Sequence, residues 1–136
     1  MILDKQNEFS DAQALTATAA STNIIDTSVL GDAKNELYLV VQVSTKLASS
    51  GTSATLDIIL QHDSAVGFGT VATLATLAQI AEATLVAGYR CWAIRLPAGA
   101  KRYLRMYYTV GTENFTSGNI DAFLTPDVQT NENPTV

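Results

Sequence analysis

The sequence is poor in the residues from which active sites are built. It holds one histidine, His62, and one cysteine, Cys91, in 136 residues. A single cysteine excludes an intrachain disulfide. Without a second histidine or a cysteine cluster, zinc has too few ligands. His62 reads as a rim or surface residue at a strand end, beside Asp63. GTSAT (51–55) is not the GxSxG elbow that positions a serine nucleophile. Gly67-Phe68-Gly69 lacks the lysine and the helix of a phosphate loop and reads as a turn. Asp32, Asp57 and Asp63 stand singly and match no calcium loop. No catalytic, metal or cofactor-binding residue is assigned, and no enzymatic activity is expected.

Long apolar runs are also missing. No segment reaches the roughly 18 residues of a membrane span. Met1-Ile2-Leu3 runs straight into Asp4, without the pattern of a signal peptide. The expectation is a soluble chain with no membrane partner. Charge is sparse: 15% of residues are charged, against roughly 25% in an average domain. A surface so poor in charge suits a chain covered by partners. The net charge of −5 repels phosphate backbones, so nucleic acid is not an expected partner. Yet Arg90, Arg95, Lys101, Arg102 and Arg105 fall in a stretch, between Glu82 and Glu113, that contains no acid. A single-strand binder using this basic strip is a weaker reading.

What the chain does have is alternation. LYLVVQVST (37–45), TLDIILQHD (55–63), YRCWAIRLP (89–97), RYLRMYYTV (102–110) and NIDAFLTP (119–126) read as strands. NIIDTSVLG (23–31) reads as a first strand, with GDAKNE (31–36) as a turn. In TVATLATLA (70–78) the apolar residues Val71, Leu74, Leu77 and Ile80 step by three, and a short strand is expected near 71–77. Residues 1–22 show no alternation and read as an extended N-terminal arm, anchored by Phe9 and Leu15. Residues 23–126 form the body, and 127–136 a flexible C-terminal tail. Short strands with turn signals every 8–12 residues predict an all-β, two-sheet antiparallel sandwich, jelly-roll-like or Ig-like.

One strand has an unusual outer face. Tyr103, Arg105 and Tyr107 stand where solvent-facing Lys, Glu or Ser is the norm. Tyr and Arg are the residues enriched at protein interfaces, offering large contact area with a polar tip. Arg95 extends the patch if its strand is the neighbour. The structural alternative is an internal Arg–Tyr ladder worth about 0.5–1 kcal/mol per pair. The candidate interface residues are Phe9, Leu15, Arg95, Tyr103, Arg105 and Tyr107.

MILDKQNEFSDAQALT (1–16), TLVAG (84–88), RYLRMYYTVG (102–111) and SGNIDAFL (117–124), taken in order, resemble the capsid cement, or decoration, proteins of tailed bacteriophages. The sequence resembles in particular the small jelly-roll type of a Bordetella phage. The resemblance implies a structural protein, made in the host cytoplasm, that binds the exterior of the assembled capsid. Its partners would be the major capsid protein and itself, as a dimer rather than a trimer. It implies no active-site residues. The alternative is a carbohydrate- or receptor-binding sandwich of a phage tail, in which the tyrosines would stack on sugar rings.

Overall fold

The computed structural model describes residues 4–29 and 37–128. The expected turn at 31–36, with Asp32, and the tail from residue 129 lie outside the described residues. The described strands are β1 (Glu8–Ala14), β2 (Ala19–Ala20), β3 (Ile25–Asp26), β4 (Tyr38–Ser49), β5 (Thr55–Asp63), β6 (Ala72–Ala81), β7 (Arg90–Arg95), β8 (Tyr103–Gly111) and β9 (Phe115–Thr125). They form two antiparallel sheets. Sheet 1 has the order β1-β9-β4-β7 and sheet 2 the order β2-β8-β5-β6, with β3 also on β8.

The pairings are nested. β5–β6 is the innermost hairpin, flanked by β4–β7, then β2–β8, then β1–β9. A long hairpin rolled so that its paired strands fall alternately in two sheets is the jelly roll, so the strand order selects this topology over the Ig-like one. Between the sheets lie Leu39, Val41 and Val43 of β4, Leu56, Ile58 and Leu60 of β5, Leu104, Met106 and Tyr108 of β8, and Ile120, Ala122 and Leu124 of β9, all buried. Each set comes from one parity of its strand, as the pleat requires.

The described residues of the expected arm, 4–22, do not form one. β1 is an edge strand of sheet 1, and Phe9 and Leu15 are fully buried in the common core. Two bulges hide this strand from a period-two reading. The register shifts between Glu8 and Ser10 and again between Ser10 and Gln13, and Ala12 in the second shift has φ +46°. Each shift inserts a residue and resets the alternation.

The triplet of β6 has the same origin. Opposite Leu56 and Ile58, two residues apart, stand Ile80 and Leu77, three apart, and the register shifts again between the partners of Leu60 and Gln61. The bulges turn a step of two into a step of three, so Leu74, Leu77 and Ile80 all pack against the core. Val71 lies outside the strand and is exposed. Of the expected strand at 23–31, the described residues form a strand only at Ile25–Asp26, followed by a single 3-10 turn at Thr27–Val29.

Candidate partner-contact face

β8 lies inside sheet 2, with β5 on one side and β2 and β3 on the other. Its inward residues anchor it in the core, so Tyr103, Arg105 and Tyr107 project from the outer face of a rigid sheet. All three are half-buried in the chain. Their cross-strand neighbours on β5 are Asp63, Gln61 and Ile59 respectively. On the far side, Tyr103 stands beside Asp26 and Tyr107 beside Ala20.

Arg105 is held from several directions. Its Nε donates to Gln61 Oε1 at 2.8 Å. Its guanidinium lies 4.4 Å from the centroid of the Phe68 ring and 5.6 Å from that of Tyr107. At the end of the stripe the Arg102 guanidinium lies 5.0 Å from the Tyr103 ring centroid. Arg102 also donates from Nε and Nη2 to the two carboxylate oxygens of Asp26, both at 3.1 Å. That pairing, with a hydrogen bond from Ser28 N–H, holds the Asp26 carboxyl far below the usual carboxylate range. The Arg–Tyr ladder and the open face therefore coexist: each guanidinium organises a ring, and the stripe still faces outward.

Phe68 was invisible to motif reading, which saw only a turn between two glycines. The loop that delivers it is built by Asp63. The Asp63 carboxylate accepts from Thr70 N at 2.8 Å, Ser64 N at 2.6 Å and Ala65 N at 3.3 Å. These bonds depress its pKa, Thr70 most, and fold residues 64–70 back over the sheet. Phe68 adopts φ +50° and is buried, yet it stands apart from the main core cluster. An Asp followed by Ser and a Gly-flanked aromatic was the available signal.

Three expected contact residues do not belong to this face. Phe9 and Leu15 are core residues and are covered before any partner arrives. Arg95 is on β7, an edge strand of sheet 1, opposite Tyr38. The basic strip is thereby divided: Arg90 and Arg95 sit on one sheet, and Lys101, Arg102 and Arg105 at the other. His62 is also not a rim residue. It is buried on the inner side of β5, and its Nδ1 accepts from Lys101 N at 3.1 Å. Burial, and then the charge of Lys101, lower its pKa. Cys91 is half-buried on β7, and burial pushes its thiol up to about 12, far from a reactive thiolate.

An open cleft of about 500 Å³ lies where the turn at Lys5–Asn7 meets residues 22–26. Its acids are already engaged, Glu8 with Lys5 and Asp26 with Arg102. Among the described residues no helix is long and apolar enough to cross a membrane.

Among curated proteins none matches the chain. A family model does match, over residues 9–124, from the buried Phe9 of β1 to Leu124 of β9. That span takes in the rolled hairpin, less the first residue of β1 and the last of β9, and the Tyr103–Arg105–Tyr107 face. The chain belongs to the Bbp16 family, named after a Bordetella phage protein, and is a phage-related, virion-associated protein.

Proposed function

We propose that the protein is a structural virion component that binds the exterior of an assembled phage capsid and clamps neighbouring major capsid subunits. The observation that carries this reading is the outer face of sheet 2, a half-buried Tyr103–Arg105–Tyr107 stripe mounted on a rigid jelly roll. Such a face gains most from being covered by another protein. The edges of the sheets are poor candidates by comparison. β1 and β6 each carry two register shifts, and β7 begins and ends with arginine. Bulges and charges are the devices that discourage strand addition. An acidic protein also suits the outside of a shell better than its DNA-filled interior.

The mechanism is linkage. A chain that binds only the assembled shell stabilises it by mass action. A specific contact needs roughly 1,000 Å² of buried surface or more. A homodimer touching two capsid subunits at once gains effective concentration, so modest contacts suffice. The alternative, a tail module that binds sugar, needs free aromatic faces. Here a guanidinium lies over each tyrosine of the stripe.

Co-sedimentation with purified capsids that lack the protein tests the proposal, together with the heat stability of the particles with and without it. Arg105→Glu is expected to abolish binding and leave the circular-dichroism spectrum unchanged. A folded Arg105→Glu chain that still decorates capsids would remove the stripe from the interface. A glycan array positive for a defined sugar would favour the tail module instead.

A further inference from the structure

We propose that Arg105 is a built receptor for a carboxylate, an Asp or Glu side chain of the protein that covers the stripe. The inference rests on reading this face as a partner surface and names the group the partner must bring. The guanidinium is fixed in advance: Gln61 holds Nε, and Cζ lies over the Phe68 ring, 4.4 Å from its centroid. Its terminal amino groups are the donors that suit a bidentate anion.

The described residues do not supply that anion. Among the described residues no carboxylate forms an ion pair with Arg105. The acids nearest in the sheet are turned to other work. Asp63 accepts from the backbone of its own loop, Asp57 accepts from Gln79 N at 2.6 Å, and Asp26 is taken by Arg102. The Arg105 neighbours Phe68, Tyr107 and Ile59 are apolar or aromatic. Covering them would exclude water and strengthen a charge pair formed there. Such a pair specifies the partner and its register more than it adds raw affinity.

The test uses the full ¹⁵N-labelled chain. Its Arg105 Nε–H resonance is assigned by its loss in Arg105→Lys. The chain is titrated with sodium glutarate, inorganic phosphate or chloride at constant ionic strength. Glutarate is expected to shift this resonance and the Tyr107 ring signals saturably, and more strongly than phosphate does. No saturable shift, or a stronger response to phosphate, would overturn the carboxylate assignment.

In parallel, Arg105→Gln is expected to weaken co-sedimentation with capsids by about tenfold or more, with Arg105→Lys only partly restoring it. Capsid binding that is equal in wild type and Arg105→Gln overturns the inference and leaves the proposed function standing. A wild-type chain that ignores capsids removes the proposed function, and the glutarate titration then decides the inference alone.

Discussion

Ser10 Oγ and Tyr108 Oη lie 2.8 Å apart inside the sandwich, one on β1 of sheet 1 and the other on β8 of sheet 2. Ser10 donates its own hydrogen to Gln13 Oε1 at 2.7 Å, so the tyrosine is the donor to Ser10. Gln13 carries the network onward, donating to Ala20 O at 2.9 Å and accepting from Thr22 N at 2.9 Å. Residues 8–22 are thus bonded to both sheets.

This polar chain makes two deletions unequal. Tyr108→Phe removes a donor, and Ser10 keeps its bond to Gln13, so the expected cost is about 1 kcal/mol. Ser10→Ala strands a fully buried phenol and is expected to cost about 1–3 kcal/mol. Urea denaturation at an unchanged m-value measures both. The opposite ranking would mean that the phenol has another partner.

Phe9 turns the supposed arm into part of the core. Phe9→Ala is expected to lower stability by about 3–5 kcal/mol, since the ring is fully buried and its space cannot readily collapse between the two sheets. Removal of residues 1–16 is expected to unfold the body. Thermal melts decide between this and a docking arm, whose loss would leave the melting temperature unchanged.

Two carboxylates latch the loop between β4 and β5. Glu113 accepts from Ser53 N at 2.7 Å, Ser53 Oγ at 2.8 Å and Gly51 N at 2.9 Å, which brings its pKa from 4.5 to about 2. Glu82, bonded to the hydroxyl and N–H of Ser49 and to Ala54 N, is depressed too. A folded-state pKa below the unfolded one contributes stability that is complete above the unfolded value and lost as pH falls towards the folded value. Stability is therefore expected to decline between about pH 4.5 and pH 2. Glu113→Gln should flatten that decline, as read from melting temperatures across the window. An unchanged slope would show that the latch does not govern acid unfolding.

Gly118 allows β9 to pass close to β4. It has φ +126°, and a Cβ there would stand 2.6 Å from Leu47 Cα and 2.7 Å from Lys46 O. Both neighbours are backbone atoms and cannot swing aside. Gly118→Ala is expected to cost more than about 2 kcal/mol, from positive φ and overpacking together. A variant as stable as wild type would show that the β4–β9 bulge can relax.

Much of the body was readable residue by residue. In β4, β5 and β8 the inward sets follow from strict alternation, and the structure buries those residues. β1 and β6 were obscured because bulges break the period from which a strand is recognised. The stripe was legible because Tyr and Arg occupy one parity of β8. Phe68 and Gln61 were not, because a loop and a neighbouring strand bring them to Arg105.

By itself the sequence determined the strands of regular period, the side of each that turns inward, and the Tyr–Arg side of β8. These are local properties, set by a side chain's parity along an extended backbone. Only the tertiary structure decided that the strands roll into nested pairs, that Phe9 and Leu15 close the core, and that Arg95 lies on the other sheet. Pairing joins residues as distant as Ser10 and Tyr108. Such choices rest on which buried surfaces and hydrogen bonds can be satisfied together, and no short window of sequence carries that information.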